Sequence, residues 1–187
     1  MGKSVLFINA CVRAGSRTKR LADAFLERYS DIDELRLWEV DFPVVDEAYL
    51  SKRDSLIFSG QFDDPFLALA KQFASAEEIV IAAPFWDLSF PASLKQYIEV
   101  INAIGVTFTY SEEGLPVGLC KADKLTFITT SGGEYFPEEY GFGYINALCN
   151  NFYGIKDVEL ISVNGLDIVG VDADALIKEK VAEIKAM

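Results

Sequence analysis

Histidine is absent from all 187 residues. Its absence removes the usual titrating base of the neutral range, every His-dependent nucleophilic triad and the commonest metal ligand. Cysteine is scarce. Cys11, Cys120 and Cys149 lie far apart with no C-x-x-C pair, which argues against a zinc site or disulfide framework and for buried free thiols. No apolar run approaches the ~20 residues of a membrane span, and the start lacks the long apolar stretch of a signal peptide. A cytoplasmic protein with no membrane partner is therefore expected. Positive charge is also in deficit: 17 Lys and Arg face 29 Asp and Glu, a net charge of −12 that disfavours nucleic acid as a partner. Apolar residues, by contrast, are plentiful. They make up 51% of the chain, enough for a single domain over 1–187 with a sizeable core.

The apolar residues fall into an alternating series. "KSVLFIN" (3–9), "EEIVIAAP" (77–84) and "KLTFITT" (124–130) are short, nearly continuous runs, as expected of strands buried on both faces. "DVELISV" (157–163) is a further strand, and "DELRLWEV" (33–40) alternates as an edge strand does. Helical spacing fills the intervals at 17–29, 65–76, 91–104, 143–154 and 172–187. Pro91 suits a first helical position, Asp172 a cap and Gly154 a stop. Strands alternating with helices imply an α/β domain: a doubly wound, five-stranded parallel sheet of order 2-1-3-4-5 with helices on both faces. Residues 43–63 and 106–123 read as irregular insertions, where functional loops would be sought.

In such a sheet, ligands bind at the carboxyl ends of the strands, beside the point where strand order reverses. Three segments leave strand ends there. The first is the elbow "RAGSRTKR" (13–20), a concentration of positive charge in an acidic chain. It is neither a Walker loop nor a G-x-G-x-x-G fingerprint. Gly15, Ser16, Arg17 and Thr18 leading into a helix suit a monophosphate, with Arg13 or Arg17 adding charge-assisted bonds, or they form an ordinary capped turn. The second is "APFWDLSFPASLK" (83–95), whose aromatics suit a planar heterocycle or pack under the following helix. Asp87 in it is either an acceptor for a ring N–H or an exposed turn residue. The third is "TTSGGEY" (129–135), whose glycines permit close backbone approach or simply make a tight turn.

Together, "AGSRTKRLADAFLE", "VIAAPFWDLSFPASLKQYIEVINAIGVTFTY", "KLTFITTSGG" and "NFYGIKDVE" resemble the FMN-dependent NADH-azoreductase and quinone-reductase family of flavodoxin-like proteins. By that resemblance, Ser16, Arg17 and Thr18 hold the FMN phosphate, with Asn9 in the same region. Pro84, Phe85, Trp86, Asp87 and Leu88 line the isoalloxazine, and Thr130, Ser131, Gly132 and Gly133 meet its pyrimidine end. Phe108 and Phe152 match aromatics that sandwich substrate over the flavin, partly across a dimer interface, with Tyr135 nearby. The resemblance implies a homodimer that passes hydride from NAD(P)H through FMN to quinones or azo compounds by a ping-pong mechanism. A flavodoxin-like electron carrier is the alternative. The chain departs from the family at Asp87, where Asn is usual, at Ser131, where Arg is usual, and at Tyr135 or Phe136, where a His is usual. With one helix terminus for one phosphate and no second glycine-rich site, FMN is expected and not FAD.

Overall fold

The computed structural model describes residues 4–187, so Lys3, the expected start of the first strand, lies outside the described residues. β1 (Ser4–Asn9), β2 (Asp31–Arg36), β3 (Glu78–Ala82), β6 (Lys124–Thr130) and β7 (Asp157–Val163) form one parallel sheet. Its order is β2-β1-β3-β6-β7. Counting only these strands, this is the expected 2-1-3-4-5. β1 and β3 share register from Val5 opposite Glu78 to Asn9 opposite Ala82.

Pleating sends alternate side chains of each strand to opposite faces, and both faces are covered. Leu6, Ile8, Ile79, Ile81, Leu125 and Phe127 pack against α3 (Ala68–Ser75), α4 (Ala92–Ile101) and α5 (Phe142–Leu148). Val5, Phe7, Val80, Ala82, Ile128 and Ile161 pack against α1 (Arg17–Leu26) and α6 (Ala173–Ala186). Each fully covered side chain of this size contributes about 1.5–3 kcal/mol relative to exposure. This favours the apolar centres of β1 and β3, while β6 also buries Thr126, Thr129 and Thr130.

Both expected insertions hold regular structure. Within 43–63 lies α2 (Glu47–Phe58), capped by the Asp46 carboxylate accepting from Tyr49 N–H at 2.9 Å. Only Tyr49 and Leu56 of this helix are buried, and two contacts seven residues apart leave no readable apolar stripe. Within 106–123 lies an antiparallel hairpin, β4 (Phe108–Tyr110) and β5 (Pro116–Gly118). The edge strand β2 covers 31–36 in place of 33–40, and Leu37–Glu39 form a 3-10 turn. Pairing with β1 sets that register, because Ser4 lies opposite Asp31, and an exposed edge has no apolar pattern of its own to announce it.

Asp172 and Gly154 behave as expected: Asp172 accepts from Ala175 N–H at 3.0 Å, and Gly154 adopts a left-handed φ of 80°. Pro91, expected at the first helical position, stands one residue earlier as the cap of α4. The helix expected at 143–154 ends differently. After Leu148 it widens into a π-helical turn, Cys149–Tyr153, which turns Phe152 onto Phe108 with ring centroids 4.8 Å apart.

Candidate functional site

The carboxyl ends of β1, β3, β6 and β7 open onto a cleft of about 500 Å³, within the size range of small-molecule sites. Four connections build its walls, one more than the sequence suggested.

The β1–α1 elbow contributes the helix start. Ser16 has extended backbone, and its hydroxyl caps α1 by accepting from Lys19 N–H at 3.2 Å. The first N–H groups of a helix have no intrahelical acceptor. With Lys19 satisfied, those of Arg17 and Thr18 remain for a ligand, backed by the positive end of the helix dipole. Arg13, Gly15, Ser16, Arg17 and Thr18 all line the cleft. The basic residues of the elbow are individually countered. Lys19 pairs with Asp23, Arg20 with Asp174 at 2.6 Å and Arg17 with Asp167 at 2.7 Å, while Arg13 lies 5.4 Å over the Trp86 ring.

The β3–α4 connection contributes a flat apolar wall. Phe85 N–H donates to Thr130 O at 3.0 Å, prolonging the β3–β6 pairing, and its ring meets Phe136 edge-on at 4.6 Å. Trp86 and Ser89 exchange both backbone bonds at 2.9 and 2.8 Å, which closes a two-residue turn. Asp87 and Leu88 occupy its tip with φ of 52° and 67°. Left-handed backbone at both central residues is the requirement of this turn type. For leucine it is a strained conformation of the kind found where geometry is imposed by a site. Pro84, Phe85 and Trp86 line the cleft, whereas Asp87 and Leu88 stand at the turn outside the lining.

The β6 loop contributes Thr130, Ser131 and Gly132 to the cleft. The Thr130 and Thr18 hydroxyls bond each other at 2.7 Å, both buried, and tie the first turn of α1 to the end of β6. Gly133 lies just behind the lining, its carbonyl accepting from Gly165 N–H at 2.9 Å and from the Ser131 hydroxyl at 2.7 Å.

The unforeseen fourth wall is the β7–α6 connection, which supplies Leu166 and Asp167. Cys11 and Val12 were also missed. The rule that pointed to the first three loops covers this one as well, since 164–171 also leaves a strand at its carboxyl end.

Other expected site residues lie elsewhere in the chain. Asn9 is buried, its amide donating to Glu34 Oε1 at 2.8 Å and accepting from Cys11 N–H at 2.9 Å, so it ties β1 to β2 instead of facing the cleft. Phe108 and Phe152 pack on each other at the hairpin, and Tyr135 is 72% exposed, none of them against the cleft.

Burial pushes the Cys11 thiol up to about 11 despite the Ser16 hydroxyl beside it, and Cys120 and Cys149 are pushed by burial up to about 12. All three are free thiols, as the sequence suggested. Among the described residues no His, Cys, Asp or Glu group could hold a metal ion, and no helix is long and apolar enough to cross a membrane. The arrangement is suited to binding: a helix start with two N–H groups and basic side chains lies at one end and a flat aromatic wall beside it.

Comparison with known proteins agrees with that geometry. A family described as having the flavodoxin-like fold matches residues 3–187. The chain is 38% identical over 191 residues to "FMN-dependent NADH:quinone oxidoreductase 2" of Clostridium perfringens (strain 13 / Type A), covering 96% of this chain and 92% of that protein. A protein of the same description from Clostridium acetobutylicum is 37% identical, covering 97% and 96%. Among solved structures, an FMN-dependent NADH-azoreductase from Bacillus anthracis str. Ames Ancestor in complex with FMN superposes with a TM-score of 0.80 at 25% identity, covering 98% of this chain and 96% of that one.

Proposed function

The chain belongs to the flavodoxin-like fold family, and from that premise we propose that it is an FMN-dependent NADH oxidoreductase that reduces quinones or azo compounds. The observation that carries this reading is the α1 terminus opening onto the same cleft as Phe85 and Trp86. A monophosphate and a flat heterocycle belong to one molecule in FMN, and the donor set fits it. Two free helical N–H groups and the Arg17 guanidinium suit a phosphate, and the Thr18 hydroxyl, bonded to Thr130, fixes the helix start beside them. A Cβ at Gly15 would meet nothing within 4 Å, so the elbow has room for one.

In this reading, Ser16, Arg17 and Thr18 hold the phosphate. Pro84, Phe85 and Trp86 flank the ring, with Asp87 and Leu88 at its rim, and Thr130, Ser131, Gly132 and Gly133 serve its polar edge. An ionised Asp87 accepts only, so it suits a ring N–H and cannot donate to a ring carbonyl. When bound, FMN would supply the redox chemistry, relaying hydride from the reduced nicotinamide to the acceptor by a ping-pong route. The chain contributes binding and orientation. With no histidine to move protons, water would deliver them, since Tyr135 stands away from the cleft.

A homodimer is part of the proposal. Ile104, Tyr110, Leu115, Val117 and Leu119 are exposed together along the hairpin segment, and a two-fold interface there would cover them. A cytoplasmic location fits three free thiols. The test is anaerobic addition of NADH to the flavin-loaded protein, followed by a quinone. Rapid bleaching and recolouring is expected. A flavin that NADH leaves oxidised would make the chain an electron carrier instead.

A further inference from the structure

Arg17 and Asp167 are separated by 150 residues of sequence and meet in the cleft, Nη1 to Oδ1 at 2.7 Å. The carboxylate is held from its own side. Gly165 N–H bonds Gly133 O at 2.9 Å, Leu166 N–H bonds Ser131 O at 3.2 Å and Asp167 N–H bonds Gly132 O at 2.9 Å. These bonds clamp the 164–168 loop onto the 131–133 loop. Gly132 lies so close beneath the carboxylate that a Cβ there would sit 2.3 Å from Oδ2. The guanidinium comes from the first residue of α1, whose N–H groups open onto the same space. A negative charge on an anchored loop thus stands at the rim of the proposed anion site and occupies the anion's own counter-ion.

We propose that Asp167 is a built-in competitor of the cofactor phosphate, neutralising Arg17 and limiting how tightly FMN is retained. The inference rests on the elbow being the phosphate site. Two effects of opposite sign decide its direction. Holding Arg17 in place favours binding, but exposed ion pairs of this kind are worth little, and side-chain exposure here is 38% for Arg17 and 69% for Asp167. Repulsion opposes binding, and it acts between the carboxylate and a phosphate carrying about −1.5 to −2 charges at a partly solvated rim. The second effect is larger because the incoming charge is roughly doubled and the backbone bonds keep Asp167 beside the site.

The test is titration of the full-length chain with FMN and with riboflavin, which lacks the phosphate, followed by flavin fluorescence. In Asp167→Asn, FMN affinity is expected to rise about five- to tenfold at ~50 mM salt, with riboflavin affinity unchanged. The gain should shrink at ~0.5 M salt, where charges a few ångströms apart are screened. Asp167→Ser, which also removes the contact with Arg17, should raise the ratio of FMN to riboflavin affinity as well. An unchanged or lower ratio in either variant would overturn the proposal while leaving the phosphate site standing. Equal affinity of the wild-type chain for FMN and riboflavin would remove that site and the proposal together.

Discussion

Adding one methyl group at Gly118 should unseat the β4–β5 hairpin. A Cβ built there lies 2.2 Å from Gly154 N, 2.2 Å from Tyr153 C and 2.3 Å from Tyr153 O, all of them backbone atoms. Ordinary contact begins at 3.4 Å, so one side must retreat by about 1 Å. The π-helical turn is poorly able to do so. Tyr153 is 3% exposed, packs edge-on against Phe73 at 4.9 Å and donates to Asn102 Oδ1 at 2.8 Å. The hairpin moves instead. A gap of that size forfeits roughly a quarter to a half of the dispersion energy across it, which for the buried Phe108 ring against Phe152 is about 1 kcal/mol. The bond from Leu119 N–H to Thr107 O, 3.0 Å long, loses up to about 1 kcal/mol more. Residual overpacking adds about 1 kcal/mol. Gly118→Ala is therefore expected to cost about 3 kcal/mol, a fall in Tm of about 6–12 °C for a chain of this length. Urea unfolding followed by circular dichroism measures it. Gly60→Ala is the control, because Gly60 has a φ of 70° with nothing within 4 Å of an added Cβ. It should lose only the left-handed penalty, about 1–2 kcal/mol. Stability of Gly118→Ala within about 0.5 kcal/mol of wild type would refute the close-crossing argument.

Ser16→Glu should weaken flavin retention far more than Lys121→Glu, since it places a like charge at the α1 start whereas Lys121 is exposed and away from the cleft. Flavin-to-protein absorbance ratios after gel filtration measure this. Thiol titration of the native protein at pH ~7.5 should be slow at all three cysteines and complete within minutes once unfolded, because burial pushes the thiols up to about 11 or 12; one fast-reacting native thiol would contradict it. Partial burial pushes the Glu34 carboxyl up, but hydrogen bonds from Asn9 and Arg36 outweigh it and hold the group below its ordinary value. Its stabilisation is then full above the unfolded pKa of ~4.3 and is lost as pH falls through the lower folded value. Asn9→Leu should lower stability at pH ~6 by an amount that shrinks as pH falls below the unfolded pKa of ~4.3, leaving the pH-independent loss of the Cys11 N–H bond, in urea midpoints. Parallel pH curves would show that the Asn9–Glu34 bond does not carry the effect.

The central sheet could be read from the chain because burial on both faces leaves a local signature. Val5 to Ile8 and Ile79 to Ala82 are apolar without interruption, and Leu125 to Ile128 is broken only by the buried Thr126, which a helix or a half-exposed strand would not require. The elbow was legible for a related reason: a capping Ser16 followed by a helical run is local chemistry, and that chemistry places two free N–H groups at the helix start. Elements whose stability comes from distant partners left no such mark. α2 buries only Tyr49 and Leu56, and the hairpin is seated by a backbone crossing of Gly118 on Gly154 that no periodicity announces. The same division runs through the cleft. Composition and spacing brought forward Ser16, Arg17, Phe85, Trp86 and Thr130, and the structure gathers them in one place. Only the tertiary structure committed Asn9 to Glu34, pinned Asp87 and Leu88 in left-handed backbone at a turn and swung Asp167 onto Arg17. Each of these depends on which strand ends become neighbours. Pairing of β6 with β7 sets that for Asp167, and a carboxylate in a polar loop carries no sign of the cation it will meet.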